Sequence, residues 1–210
     1  RIISSVFSQP LNIDILIVDD NSPDGTSSLI KKLIKNNKKL FLLERKKKVG
    51  LGAAYVAGFL WGIKKKYDFI FEMDADFSHD PSCLPDMVDA LKNKTDVIVG
   101  SRYKEGINVV NWPLGRILLS YSASLYVRVI TGMPVKDPTA GYVGYKRKVL
   151  ESLKLNKIQF VGYAFQIEMK YKSWKNNFKI DEYPIIFKNR TIGKSKMDLS
   201  IFWEAIIGVI

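Results

Sequence analysis

An apolar run that ends abruptly in two carboxylates constrains this chain more than any other stretch. Phe69-Ile70-Phe71-Glu72-Met73 leads into Asp74-Ala75-Asp76, and Phe77-Ser78-His79 then reaches Asp80-Pro81, an N-cap followed by proline at the first helical position. The order is strand, acidic turn, helix. In an open α/β sheet ligands collect outside the carboxyl ends of the strands, so Asp74 and Asp76 stand where a ligand would sit. Two carboxylates this close suit a hard divalent cation, Mg²⁺ or Mn²⁺, whose shell is completed by phosphate oxygens and water. A solvated acidic turn is the plainer alternative, and so short a motif does not choose between them.

Length and charge narrow the field. A chain of 210 residues, 47% of them hydrophobic, can bury a sizeable core as one embellished domain. Its 33 basic and 21 acidic residues leave a net charge of +12, which favours anionic partners: nucleotide phosphates, an acidic membrane or nucleic acid. A nucleic-acid binder would interleave aromatic and basic residues on one face, whereas here the basic residues are scattered and the acidic pairs repel phosphate. The lone Cys83 excludes an intrachain disulfide framework and a cysteine-built zinc site. No apolar run reaches the roughly 20 residues of a bilayer span, which leaves a cytosolic or membrane-surface protein.

In chain order, Ile2, Ile3, Val6 and Phe7 have the spacing of one helical face. Residues 13–18 form a nearly continuous β-branched run, the pattern of a strand covered on both faces. Asp19-Asp20 ends it, Pro23-Asp24-Gly25 supplies a turn, and Thr26 or Ser27 caps a helix whose Leu29, Ile30, Leu33 and Ile34 face inward. A second acidic pair thus sits at a strand's carboxyl end. Residues 40–43 read as the next strand, and Lys46-Lys47-Lys48-Val49-Gly50-Leu51-Gly52 leads into an alanine-rich helix. The lysines suit either solvent or an anionic surface, and the full dinucleotide fingerprint is absent. An amphipathic helix at 84–91 and a strand at 96–100, ending in Ser101-Arg102-Tyr103, complete a β-α alternation that predicts a parallel sheet with right-handed crossovers.

Beyond Tyr103 the pattern changes. Trp112-Pro113 opens a helix to about Thr131 with a broad apolar face, on which Arg116 and Ser120 lie four apart and share a side that could grip one anion. Residues 136–145 read as turn and strand, 162–174 as helix and 178–187 as strand. A polar, basic loop at 189–196 precedes residues 197–210, an amphipathic stretch too short and too charged for a complete membrane span.

Several of these blocks together resemble the dolichol-phosphate mannose synthases of the inverting glycosyltransferase family 2. They are residues 18–26, Gly50-Leu51-Gly52-Ala53-Ala54-Tyr55, residues 73–79, Gly100-Ser101-Arg102-Tyr103, Arg116 with Ser120, and Arg190 with Gly193-Lys194-Ser195-Lys196. The resemblance runs in unbroken order from about Ile13 to Lys196, far more specific than any single block. It implies a GT-A, Rossmann-like α/β domain over residues 1–196, with a mostly parallel central sheet flanked by helices. The family's N-terminal strand, which carries Pro-Thr-Tyr-Asn-Glu, is not in this chain. Where some relatives carry glutamine as a further metal ligand, this chain has Ser78.

The roles implied are these. Asp19 and Asp20 match the pair that reads base and ribose of GDP-mannose, with Gly50, Ala75 and Asp137 also on the donor side. Asp74 and Asp76 match the Asp-x-Asp element that holds Mg²⁺ or Mn²⁺ and, with Arg102, are the catalytic candidates. Arg102, Arg116, Ser120, Arg190 and Lys196 match the residues that hold the phosphate of a polyprenyl or dolichyl phosphate. Glu168 falls in a recurrent family helix, where a structural role weighs at least as much as a catalytic one. His79 is expected to be structural. The implied setting is peripheral, at the cytoplasmic face of a bacterial inner membrane or of the endoplasmic reticulum, with a small anchoring subunit or a transmembrane segment elsewhere. Two rivals differ in chemistry: a polyprenyl-phosphate transferase using a UDP-sugar, and a nucleotidyltransferase, which would present a glycine-rich basic loop after its first strand and release pyrophosphate.

Overall fold

The computed structural model describes residues 1–160, 162 and 164–188. Arg190, Lys196 and the expected amphipathic stretch at 197–210 lie outside the described residues. The elements are α1 (Ile2–Phe7), β1 (Ile15–Asp19), α2 (Thr26–Ile34), β2 (Leu40–Glu44), α3 (Leu51–Lys64), β3 (Phe69–Glu72), α4 (Leu84–Asn93), β4 (Val97–Ser101), β5 (Val109–Val110), α5 (Leu114–Thr131), β6 (Val143–Lys146), α6 (Arg147–Ser152), α7 (Ala164–Lys175), β7 (Ile180–Pro184) and β8 (Phe187–Lys188). The alternation read from the sequence is present in the expected order.

The sheet itself is more mixed than the alternation implied. The main body has the order β3-β6-β4-β7, with β6 inserted antiparallel between β3 and β4, and β4 paired parallel to β7. Its strands other than β6 run the same way, but two of its three ladders are antiparallel, so the sheet is mixed rather than mostly parallel as expected, because β6 separates β3 from β4. The insertion has a local cause at Gly144, which pairs with Phe71 across the ladder. A Cβ there would lie 2.4 Å from the Phe71 ring, so only glycine lets the ring cross the strand.

β1 and β2 form a separate parallel pair, and β5 and β8 another. Helix α3 packs over both larger sheets, with Gly58 against Val18 and Leu16 of β1 and Gly62 against Ile70 of β3. Among the described residues no ladder joins β1 to β3. Residues 15–18 of β1 are therefore only half-buried, where the apolar run predicted full cover.

β4 shows the two-faced burial expected of a central strand. Val97 and Val99 enter a core with Val143, Tyr145, Phe165 and Met169, while Ile98 points to the opposite core of Met87, Leu91 and Tyr142. One helix departs from the sequence reading. In α2 Ile30 is buried, but Leu29 and Leu33 are 58% and 42% exposed, because so short a helix turns only its Ile30 stripe to the strands. Its N-cap is the left-handed Gly25, and Asp24 rather than Thr26 or Ser27 accepts the free amide, that of Thr26 at 3.0 Å. In α5 the packed side is the small one, Ser124 and Val127, while Leu114, Leu118, Tyr121, Leu125 and Val129 are exposed.

Candidate active site

The ends of three strands, β1, β3 and β4, carry the candidate residues. At the end of β1, Asp19 is buried and accepts hydrogen bonds from the Ser22 amide at 3.2 Å and the Ser27 hydroxyl at 2.7 Å. These bonds, Ser22 first, hold its carboxyl below the usual carboxylate value. Asp20 forms an ion pair with Arg45 at 3.3 Å, just beyond β2. Asp20 Oδ1 and Arg45 Nη1 are nonetheless buried without hydrogen-bond partners among the described residues. Buried polar atoms are normally satisfied, so this pair has donor and acceptor capacity to offer a ligand. Gly50 caps α3 at φ 122°, a backbone open to glycine and strained for other residues.

At the end of β3 the acidic turn is held from three directions. Asp74 Oδ1 accepts from the Tyr55 hydroxyl at 3.0 Å, and the Asp74 amide donates to His79 Nδ1 at 3.1 Å. Asp76 Oδ1 accepts from the Ser78 amide at 3.0 Å, an Asx turn with Phe77 at its centre at φ 64°. Burial, then the surrounding carboxylates, pushes the Tyr55 phenol well above its ordinary value, so it stays a neutral donor. His79 is 3% exposed, stacked on Tyr142 with centroids 5.1 Å apart and edge-on to Phe187 at 5.5 Å. Its burial depresses its pKa, and an Nδ1 that accepts a hydrogen bond requires the neutral ring with its proton on Nε2. The expected structural role of His79 is thus visible: it fixes the backbone between the two carboxylates and the helix that follows.

At the end of β4, Arg102 meets Asp137. The Arg102 amide and Nε donate to Asp137 Oδ2 at 2.9 and 2.7 Å, Nη2 donates to Oδ1 at 2.6 Å, and Nη2 also reaches Thr139 Oγ1 at 2.8 Å. Burial alone would raise the Asp137 carboxyl, but Arg102 overrides it and the net shift is downward. The guanidinium carbon lies 5.3 to 5.7 Å from the rings of Tyr103, Trp112 and Phe187. Arg116 lies over the same Trp112 ring at 3.9 Å, and Ser120 Oγ accepts from the Tyr103 hydroxyl at 2.8 Å. Arg102, Arg116 and Ser120, distant in sequence, therefore converge on one aromatic patch. Phe187 touches both Arg102 and His79, which joins this patch to the acidic turn.

Some residues of the site carried no role in the sequence reading. Tyr55 lies inside a quoted block, one turn into a helix that begins beside the site, and Arg45 directly follows β2; each position is a usable signal. The contacts that Trp112 and Thr139 make with the arginines were not visible, because they depend on α5 and on the 137–141 segment folding back. Glu168 accepts from the Gln159 and Phe160 amides at 3.0 and 3.1 Å and from Lys172 at 2.5 Å, which is the structural alternative for it. Burial pushes the Cys83 thiol up to about 11, consistent with an inert packing residue.

Among the described residues no three His, Cys, Asp or Glu side chains form a metal-binding group. Asp74 and Asp76 share the turn that ends β3, and Ser78 Oγ, two residues on, is buried without a hydrogen-bond partner among the described residues. Two carboxylates and a hydroxyl suit a hard cation that completes its shell with substrate phosphate, and do not make a closed structural metal site. No helix among the described residues is long and apolar enough to cross a membrane.

The Glycosyl transferase family 2 profile matches residues 1–154. The chain is 43% identical over 198 residues to a polyprenol monophosphomannose synthase of Mycolicibacterium smegmatis, covering 94% of this chain and 75% of that one. It is 41% identical over 196 residues to an undecaprenyl-phosphate mannosyltransferase of Micrococcus luteus, covering 93% and 80%. Among solved structures, glucosyl-3-phosphoglycerate synthase of Mycobacterium tuberculosis, in complex with Mn²⁺, UDP-glucose and glycerol 3-phosphate, superimposes with a TM-score of 0.60. That match has 16% identity and covers 92% of this chain and 65% of the other, a likeness of fold that agrees with the GT-A expectation.

Proposed function

The chain belongs to glycosyl transferase family 2, and from that premise we propose that it transfers mannose from GDP-mannose to a polyprenyl phosphate. The observation that carries the reading is the meeting of two unlike groups across His79 and Phe187. On one side stand Asp74 and Asp76, and on the other the arginines and Ser120 gathered around Tyr103 and Trp112. The first suits a nucleotide diphosphate and the second a phosphate monoester. On the donor side Asp19 and Asp20 take the base and ribose, with Gly50 and Ala75 beside them; Asp137, 0% exposed with both oxygens held by Arg102, serves that arginine instead.

A polyprenyl phosphate has a second pKa of about 6, so at neutral pH it is already an anionic nucleophile. No general base is required, which agrees with a buried, neutral His79 whose Nδ1 is already engaged. Arg102 and Arg116, with Ser120, Arg190 and Lys196, hold the acceptor phosphate so that its oxygen attacks the anomeric carbon opposite the leaving group. The new C–O bond forms as the bond to the diphosphate breaks, GDP departs, and the α-linked donor becomes a β-linked lipid product. Asp137 keeps the Arg102 guanidinium fixed in plane during this single displacement. Asp74 and Asp76 would hold Mg²⁺ or Mn²⁺, which when bound offsets the charge that develops on the leaving diphosphate.

The outward apolar side of α5 begins beside Trp112 and Arg116, so a lipid held there by its phosphate would run its chain along that helix. This supports a peripheral enzyme that works at a membrane surface. The test is product analysis with mannose-labelled GDP-mannose and a polyprenyl phosphate. Acceptor-dependent release of GDP with a β-mannosyl phospholipid is expected, and release of pyrophosphate would overturn the reading.

A further inference from the structure

Behind the acidic turn lies a sealed polar cluster that no step of the transfer uses. Lys170 of α7 is 0% exposed, a rare state for an ammonium. All three of its donors are taken: Nζ donates to the Ala140 carbonyl at 2.7 Å, to the Gln166 carbonyl at 3.1 Å and to Gln166 Oε1 at 3.2 Å. Gln166 Nε2 in turn donates to Glu72 Oε2 at 3.1 Å, and the Tyr145 hydroxyl donates to Glu72 Oε1 at 3.2 Å. Glu72 is the last residue of β3, two before Asp74. The start of the 137–141 segment is tied independently, since the Lys136 and Asp137 amides both donate to Glu182 at 2.9 Å.

An unbroken chain of hydrogen bonds thus runs from Ala140 through Lys170 and Gln166 to the strand that delivers the carboxylate pair. Burial pulls the Lys170 ammonium down to about 8, against the attraction of Glu72 and Asp137. An apolar side chain of equal length would fill the same space without that penalty. The Lys170 cation adds a side-chain tie between β3 and the 137–141 segment, beyond the backbone ladder that joins β3 to β6 from the Glu72–Val143 pair onward.

We propose that Lys170 is a positioning residue for the transfer reaction, fixing the 137–141 segment, and with it the Arg102–Asp137 pair, relative to Asp74 and Asp76. The inference rests on the functional reading above, in which those two sets face acceptor phosphate and donor diphosphate. Lys170 touches neither substrate. Its effect is on the distance and angle between them, where a shift of about 1 Å costs on the order of a hundredfold in rate.

The experiment compares the parent chain with Lys170→Met, with the double variant Lys170→Met/Glu72→Gln, and with Gln166→Leu. The double variant removes the carboxylate that would otherwise be stranded, and Gln166→Leu cuts the link while leaving both charges in place. Each protein is measured for thermal unfolding, for GDP binding by calorimetry with Mn²⁺, for kcat and donor KM, and for amide exchange in 137–141. The expected result in the double variant is kcat lower by about ten- to a hundredfold, GDP affinity within about threefold, and faster exchange in 137–141 but not in β4. Gln166→Leu should move the same quantities in the same direction by less. Parental kcat and parental exchange in a folded double variant would overturn the proposal. So would a loss of kcat and GDP affinity in step with lowered melting temperature, which is what a purely structural lysine gives. Should the double variant not fold, unchanged 137–141 exchange in Gln166→Leu overturns it equally. If the parent transfers no sugar, the functional reading fails, and the exchange data on the same proteins still decide whether Lys170 holds the segment.

Discussion

Asp137→Asn should destabilise the protein far more than a surface carboxylate change, because of what it strands. The Asp137 side chain is 0% exposed and that of Arg102 is 10% exposed. Three Arg102 donors, the amide, Nε and Nη2, end on the two Asp137 oxygens. Asparagine keeps one acceptor, turns an NH₂ group toward a cationic donor, and leaves the guanidinium without its counter-charge. Breaking a buried pair in this way costs about 3–5 kcal/mol. At about 2–4 °C per kcal/mol for a chain of this size, the melting temperature should fall by roughly 6–20 °C. The decisive comparison adds Arg102→Met/Asp137→Leu, which removes both charges at similar volume. That variant should recover most of the lost stability yet transfer almost no sugar, since the pair serves the site and an apolar core would serve the fold as well. Urea and thermal unfolding of all three proteins, with activity measured in parallel, provide the assay. A shift below about 2 °C for Asp137→Asn, less than about 1 kcal/mol, would refute the claim that this pair holds Arg102 in place.

Asp76→Asn keeps the turn's shape but removes a negative oxygen, so sugar transfer should fall by at least about a hundredfold with the melting temperature preserved. Arg116→Lys should be damaging even though charge is kept, because the guanidinium's planar stacking over Trp112 is lost. Arg116→Ala should raise the apparent KM for polyprenyl phosphate and lower turnover, while calorimetric binding of GDP-mannose alone stays nearly unchanged; equal loss of donor binding would move Arg116 to the diphosphate. His79 should make stability decline in acid. Its folded pKa lies below 6.5, so the unfolded chain takes up the proton first; stability is full above pH 6.5 and is lost as pH falls toward the folded value. His79→Gln should flatten that limb in urea titrations at pH 7.5 and pH 5.

Much of this site was legible in the chain because its parts are local. The Asp74-Ala75-Asp76 turn, the Asp80-Pro81 cap, with Asp80 accepting the Ser82 amide at 3.0 Å, and the second acidic pair at Asp19-Asp20 all follow from strand-to-turn transitions a few residues long. Periodicity also found the extent of α5 and its broad apolar face, most of which is exposed, but did not show that the packed side is the small one, Ser124 and Val127. The position of β6 was hidden for a different reason. Strand order depends on which edges pair, and the only local trace is a glycine at 144 where Phe71 crosses. Contacts that join distant segments were the least visible. Arg102 and Asp137 lie 35 residues apart, and Gln166 and Glu72 lie 94 apart. Nothing in the sequence marked Lys170 apart from Gln166, Glu168 and Lys172 on the same helix, although Lys170 is the one that is fully buried.

The central claim is the donor and acceptor pair, and one experiment addresses it directly. Purified protein is given labelled GDP-mannose and labelled UDP-glucose in parallel, each with a polyprenyl phosphate and Mn²⁺ or Mg²⁺, and the lipid phase is counted. The account predicts labelled lipid from GDP-mannose, none without the polyprenyl phosphate, and none after chelation of the metal. Labelled lipid from UDP-glucose alone would contradict it.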